Sequence, residues 1–176
     1  MVAPNLMFEH TLNAIKGWFQ PAALDFSAKL SSTITSTVNA GSVVCLNSSG
    51  DFITTNNFLT AMPIFLLQGS DAFDVANDGT TAAGNFMHQA IMPNGTMSGL
   101  VATGAYELET TEFVDGTYAI NATLTGDVDS STNNGKIEAG TYGTDAICGV
   151  VSRGKYNNAH GVSVLAFWPV YFPVTS

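Results

Sequence analysis

The chain has 176 residues, the length of a single domain, and a chain of this size buries about 70% of its unfolded surface. Charged residues make up only 11% of the sequence and apolar residues 45%, so the composition excludes a charge-rich disordered protein. Fourteen acidic residues against five Lys and Arg residues give a net charge of −9. A chain with so few cations is not expected to bind nucleic acid or an anionic membrane surface.

The sequence predicts neither a membrane span nor a secretory signal. Its longest apolar stretch, residues 164–174, is interrupted by Pro169 and falls short of the roughly 20 residues that cross a bilayer. Near the N-terminus, Glu9 and His10 interrupt the apolar residues, and no small-residue cleavage site follows an apolar run. We therefore expect the protein to be synthesised in the cytoplasm.

The first forty residues differ from the rest and predict an arm or a short helix followed by an edge strand. Phe8, Leu12, Ile15 and Phe19 recur at helical spacing. Between residues 24 and 30, apolar and polar residues alternate, which is typical of a half-buried strand. The chain accordingly divides into an N-terminal arm with a leading strand, residues 1–40, and a β-domain, residues 41–176.

From Ser42 onward, short apolar or β-branched runs alternate with turn residues, which predicts an all-β domain. Residues 42–46 and 52–55, joined by an Asn-Ser-Ser-Gly turn, predict a β-hairpin. The spacing of the runs is typical of a small partly open barrel or a sandwich, with one long loop over residues 69–93. Further strands are predicted over residues 61–68, 98–103, 106–111, 118–124, 136–139, 146–152 and 162–171.

The C-terminal strand is apolar on both faces, so both faces need cover. Val164, Ala166 and Trp168 lie on one face, and Leu165 and Phe167 lie on the other. Two interpretations stay open at this point. The strand is either a core strand between two layers or a strand shared with another subunit, where aromatic residues are enriched.

No arrangement of residues in the sequence indicates catalysis. Cys45 and Cys148 lie in apolar runs and are predicted to be reduced core thiols, and no cation adjoins Cys148 to activate it towards His160. Ser98 follows Gly95 at a position one residue too late for a nucleophile elbow. We expect no enzymatic activity, no catalytic residues and no cofactor.

Two acidic patterns look like sites but are better explained as solvated surface. Glu107 and Glu109 share one face of a predicted strand, and like charges at this spacing predict a face that points to water. Asp127, Asp129 and Glu138 fall at ligand positions of an EF-hand-like loop, but the glycine required at its sixth position is absent and no helices flank it. We expect a polar hairpin loop there and no bound metal.

Five phrases of the sequence occur together in an order similar to that of a known family, and the resemblance covers roughly residues 41–173. They are residues 40–50 (AGSVVCLNSSG), 61–66 (AMPIFL), 99–111 (GLVATGAYELETT), 149–152 (GVVS) and 164–169 (VLAFWP). In the order and the residue types of these phrases, the chain resembles the head decoration proteins, or capsid cement proteins, of tailed bacteriophages.

The resemblance implies a β-tulip-like barrel and a non-enzymatic protein on the outer surface of the virion. Proteins of this family clamp neighbouring major capsid proteins from outside, often as trimers. The expected partners are therefore the major capsid protein and further copies of this chain, with arms and apolar edges making the contacts. The expected interface residues are Phe8, Leu12, Ile15, Trp18, Phe19, Phe167, Trp168, Tyr171 and Phe172.

Two functions from other classes remain as alternatives. A surface or secreted adhesin-type β-module would explain the Thr and Asn richness and the sequons at Asn47, Asn94 and Asn121, but it needs an export signal. A small β-barrel hydrolase would need an acid/base or nucleophile pair, which the sequence does not offer.

Overall fold

The computed structural model describes residues 12–16, 25–31, 34, 38–54, 61–67, 96–104, 106–126, 135–159 and 161–174. Within these ranges the fold is all-β, as predicted from the sequence, and no helix is present that could cross a membrane. The described strands are β1 (Leu12–Lys16), β2 (Asp25–Lys29), β3 (Val43–Leu46), β4 (Phe52–Ile53), β5 (Ile64–Leu66), β6 (Thr96–Val101), β7 (Glu107–Thr110), β8 (Thr123–Gly126), β9 (Ile137–Ala139), β10 (Gly149–Asn157) and β11 (Ser163–Trp168).

The strands form two antiparallel sheets that share one core. Sheet A has the order β1-β7-β11-β10-β8-β9, and sheet B has the order β2-β6-β5-β3-β4. Sheet B contributes Phe65 and Leu100 to the shared core, and sheet A contributes Leu108, Leu165 and Phe167. The rings of Phe65 and Phe167 lie 5.1 Å apart across the two sheets. The architecture is sandwich-like, and neither sheet closes into a barrel.

Most predicted strands are confirmed, with shifted ends. The predicted hairpin is present as β3 and β4, with Cys45 opposite Ile53. The strand predicted over residues 118–124 begins only at Thr123, because the chain turns just before it, where Asn121 has a left-handed φ of 68°. In contrast, β10 continues to Asn157, well beyond the predicted end. The predicted long loop, residues 69–93, lies outside the described residues.

One edge of each sheet is covered by the chain itself. In sheet B, Ser31 follows β2 and donates its backbone N–H to the carbonyl oxygen of Phe52 in β4, at 2.9 Å. In sheet A, the segment after β7 reaches β9, where the Ile137 N–H donates to Glu112 and the Ile137 carbonyl accepts from Val114. Each continuation therefore satisfies backbone groups on the edge strand at the opposite end of its own sheet.

The curvature of sheet B encloses a second, smaller core. Val44 in β3 and Ile64 and Leu66 in β5 point away from the shared core, because strand residues alternate between faces. They pack with Ala28, from the end of β2, and with Val38. The leading strand predicted over residues 24–30 is thus confirmed as β2 and is an integral part of sheet B.

The helical interpretation of the N-terminal segment is wrong over Leu12–Lys16, which form strand β1. This strand pairs antiparallel with β7 in the same chain, with Leu12 opposite Thr110 and a register irregularity between Ala14 and Lys16. A short isolated helix is marginal in water, whereas the edge of β7 offers a ladder of backbone hydrogen bonds. The other residues of the predicted helix, among them Phe8 and Phe19, lie outside the described residues.

Deletion of residues 1–20 tests whether β1 belongs to the folded domain. The deletion removes a strand that pairs with β7, so we expect the melting temperature to fall by about 5 °C or more in a calorimetric scan. Deletion of residues 1–11 retains β1 and is the matched control. If the longer deletion melts like the full chain, β1 is not held by β7, and an arm that docks on a neighbouring subunit is favoured instead.

The prediction of reduced core thiols is confirmed, because Cys45 and Cys148 are both buried and neither forms a disulfide. Burial disfavours the charged thiolate. It raises the pKa of Cys45 from 9.0 to about 11 and that of Cys148 to about 12. Neither thiol is activated as a nucleophile at neutral pH.

These raised pKa values predict a loss of stability at alkaline pH. Above pH 9 the unfolded chain releases thiol protons that the native state keeps, so the free energy of unfolding falls by about 1.4 kcal/mol per pH unit for each thiol. Urea unfolding between about pH 8 and pH 10.5 measures this slope. Cys148→Ala should reduce the slope of the unfolding free energy against pH by the contribution of one thiol.

Val151→Ala is the control for that experiment, because it also removes core volume at a fully buried position but removes no ionisable group. It should lower stability equally at every pH. An unchanged slope in Cys148→Ala would contradict the raised thiol pKa.

The structure also decides between the two interpretations of the C-terminal strand for its central residues. Val164 and Ala166 on one face of β11, and Leu165 and Phe167 on the other, have no accessible surface. These four residues are therefore core residues of the single chain. Accessible surface lies on either side of these four residues, at the exposed Ser163 and at the partly exposed Trp168.

Candidate interaction surface

Two exposed aromatic side chains meet at one corner of sheet A. The Tyr142 side chain is 68% exposed and Phe172 is 42% exposed. Their ring centroids lie 5.8 Å apart and their planes are almost perpendicular, an edge-to-face arrangement that aromatic pairs favour. We call this pair the aromatic corner. Exposed apolar groups that lie together in this way are typical of contact surfaces for other proteins.

Backbone and side-chain hydrogen bonds hold both residues of the aromatic corner in place. Tyr142 lies in a tight turn in which the Thr141 N–H donates to the Asp145 carboxylate at 2.7 Å and the Asp145 N–H donates to the Thr141 carbonyl at 2.9 Å. Phe172 exchanges two backbone hydrogen bonds with the buried residue Ile147. The backbone that carries the two rings is therefore fixed, which lowers the entropy cost of binding.

The structure separates the residues that the sequence grouped as interface candidates. Phe172 is exposed, Trp168 and Tyr171 are half-buried, and Phe167 is fully buried against Phe65. Leu12 and Ile15 lie in β1, paired with the chain's own β7. The remaining candidates, Phe8, Trp18 and Phe19, lie outside the described residues.

Sequence reasoning missed Tyr142. It stands alone in a polar stretch between two strands, and no periodic pattern marks it. The signal available was an aromatic residue beside Gly143 in a predicted turn, where exposure is expected. Phe172 was among the predicted interface residues, but its position beside Tyr142 could not be inferred, because it depends on the bridge between Ile147 and Phe172.

The outer face of sheet A carries a buried ion pair where the sequence predicted a solvated surface. The Glu107 side chain is only 2% exposed, and its two carboxylate oxygens accept hydrogen bonds from Nε and a terminal nitrogen of Arg153, at 2.8 and 3.0 Å. The hydrogen bond to Glu107 raises the pKa of the Arg153 guanidinium above its usual value. The prediction of a solvated face is therefore wrong at Glu107.

A small residue and a bulge make this ion pair possible. Glu107 lies on β7 and Arg153 on β10, which are separated by β11 and so by about 10 Å of sheet. Ala166 of β11 lies opposite Glu109 on one side and Gly154 on the other, so β11 presents only a methyl group at the register position next to Arg153. The ladder skips Arg153 at a bulge that ends at Gly154, whose φ of 78° favours glycine.

Glu109, the second carboxylate of this face, is also engaged. The hydroxyl group of Tyr156 on β10 donates a short hydrogen bond to its Oε2 atom. Burial and the neighbouring carboxylate raise the pKa of Tyr156 to about 12, so the phenol stays protonated at neutral pH. Both carboxylates thus connect β7 to β10 across β11, and the arrangement is chemically a clamp between strands. We call Glu107, Glu109, Arg153 and Tyr156 the polar clamp.

The described residues include only part of the EF-hand-like pattern. Glu138 lies within β9, opposite Thr125, whereas Asp127 and Asp129 lie outside the described residues. In the part of the chain that the structure describes, no group of three or more His, Cys, Asp or Glu side chains is placed to hold a metal ion.

Comparison of the chain with protein-family models, with curated proteins and with solved structures finds no match.

The polar clamp predicts that Arg153 matters more for stability than its exposed neighbour Lys155. Arg153→Met leaves the Glu107 carboxylate buried without its cation, so we expect the melting temperature to fall by roughly 3–8 °C. Lys155→Met removes a surface pair with Asp115, whose side chain is 92% exposed, and a distant cation–π contact with the Phe113 ring at 6.0 Å, and it should change the melting temperature little.

A second variant separates the cost of an unpaired charge from general damage to the fold. Arg153→Met combined with Glu107→Leu removes both charges and should recover much of the lost stability. If the double variant melts no higher than Arg153→Met, or if Lys155→Met is equally destabilised, the ion pair is not what holds β7 to β10.

Proposed function

We propose that this protein is a non-enzymatic structural protein of a tailed-bacteriophage virion that decorates the outside of the capsid. In this role it stabilises the shell by clamping neighbouring major capsid proteins. The observation that carries the proposal is the aromatic corner, where Tyr142 and Phe172 are exposed on a backbone fixed by hydrogen bonds. A rigid apolar projection of this kind fits a permanent contact with another protein.

Composition and sequence resemblance support the same role. Only 11% of the residues are charged, which is low for a domain that is surrounded by water on all sides. The phrases that resemble capsid decoration proteins fall largely on β3, β5, β6, β7, β10 and β11, the interior strands of both sheets. The resemblance thus concerns the scaffold, and the aromatic corner supplies the contact.

The proposal includes self-association as a trimer. A protein that holds neighbouring capsid subunits together must contact more than one of them, and three copies of the chain would present three aromatic corners to the shell. Sedimentation at micromolar concentration measures the oligomeric state. A monomer in solution that also binds to capsids as single copies would contradict the trimer.

Binding to capsids tests the proposed function directly. Capsids assembled from the major capsid protein encoded with this chain should retain the protein through sedimentation, and Tyr142→Ser combined with Phe172→Ser should lower its occupancy about tenfold. The exposed residue Ile120 provides the control, since Ile120→Ser removes an apolar side chain that is 63% exposed at another site. The melting temperature of both variants should stay near that of the original protein.

Two outcomes would overturn the proposal. The first is absence of the protein from purified virions by mass spectrometry. The second is an attached glycan at Asn121, which is exposed in its turn and stands in an Asn-Ala-Thr sequon. A glycan would favour the alternative, a secreted adhesin-type module.

A further inference from the structure

We infer that the aromatic corner binds a basic protein surface, from which an arginine side chain stacks on the Tyr142 ring beside the Asp145 carboxylate. The inference rests on the proposed function in one respect, since it takes the aromatic corner as the docking surface. It adds the chemistry of the partner.

The charge balance of the chain favours a basic partner over a second copy. The sequence holds fourteen acidic residues and five Lys and Arg residues. Two of those cations already form ion pairs within the chain, Arg153 with Glu107 and Lys155 with Asp115. At the aromatic corner a second copy, which carries the same net charge of −9, gains no attraction from charge, whereas a basic surface is attracted, so the proposed trimer would use contacts elsewhere.

The local chemistry at the aromatic corner fits a guanidinium group. Tyr142 and Asp145 belong to the same turn, three residues apart, and a backbone bridge joins them, so one turn offers an aromatic ring and a carboxylate. The ring is 68% exposed, and a cation above its face is attracted by its π-electrons while the carboxylate adds a charge. The guanidinium group of arginine is planar, so it can stack on a ring, and its N–H donors fit a carboxylate. The ammonium group of lysine is only a compact charge.

The fixed geometry of the turn makes this recognition selective. The Asp145 Oδ2 atom accepts a hydrogen bond from the Thr141 N–H at 2.7 Å, which fixes the carboxylate within the turn. The Phe172 ring contacts the Tyr142 ring, with the centroids 5.8 Å apart. The backbone of the turn does not need to be ordered when the partner binds, which lowers the entropy cost of the contact.

A peptide titration followed by NMR tests the inference. The probe is an acetylated Gly-Arg-Gly-Arg-Gly amide added to ¹⁵N-labelled protein up to about 10 mM, a range suited to one weak contact. We expect the amide signals of residues 141–145, 171 and 172 to shift, less with the Lys analogue and not with the Glu analogue. Raising NaCl to about 0.5 M should weaken the shifts.

Two conservative variants identify the groups responsible. Tyr142→Leu keeps an apolar side chain but removes the π face, and Asp145→Asn keeps an acceptor for the Thr141 N–H but removes the charge. Each should weaken binding of the Arg peptide about fivefold, and Asp145→Asn should also reduce the salt dependence. Ile120→Ser, at a different exposed apolar position, should leave the affinity unchanged.

Other results would overturn the inference without touching the proposed function. Absent shifts, equal shifts with the Glu peptide, or full affinity in Tyr142→Leu would each exclude an arginine on this ring. Shifts of the same signals that grow with protein concentration in the absence of peptide would identify a second copy as the occupant. If the peptide binds as expected but capsids do not retain the protein, the basic partner stands and the capsid role falls.

Discussion

Burial of β11 on both faces is the constraint on which the rest of the structure depends. Its residues 164–167 alternate between two faces, yet none has accessible surface. A strand that is apolar on both sides needs cover above and below the sheet, and both faces of β11 are covered at these residues. Within sheet A, β11 lies between β7 and β10. This placement aligns Leu165 and Phe167 with the shared core and joins that core to sheet B through the contact between Phe167 and Phe65.

The same placement explains how a protein with few charges uses them. In the middle of β11, Ala166 presents only a methyl group between Glu109 of β7 and Gly154 of β10. Across this strand, Glu107 and Glu109 accept hydrogen bonds from Arg153 and Tyr156. A larger side chain at position 166 would crowd this face, and separating Glu107 from Arg153 would leave a buried carboxylate without its cation, which is costly. Arg153, one of only five Lys and Arg residues, thus ties two strands of sheet A together.

The parts of the fold that local pattern determines were predictable from the sequence, and those set by distant pairing were not. Alternation of apolar and polar residues is enough to identify β2, and turn residues locate the β3–β4 hairpin. In contrast, β1 is a strand only because β7 lies beside it, ninety or more residues along the chain. The polar clamp depends on a bulge before Gly154, and the aromatic corner depends on the bridge between Ile147 and Phe172; neither leaves a periodic signal.

The covered edges restrict how this protein can associate with others. Where the structure describes them, β4 is covered by the continuation of β2 and β9 by the segment after β7, so strand addition is blocked at those two edges. The central residues of β11 are buried and offer no face. Among the described residues, exposed aromatic side chains outside the strands, Tyr142 and Phe172, are available to a partner. Substitutions there can change binding without changing the fold, whereas substitutions in β11 or the polar clamp act on the fold first.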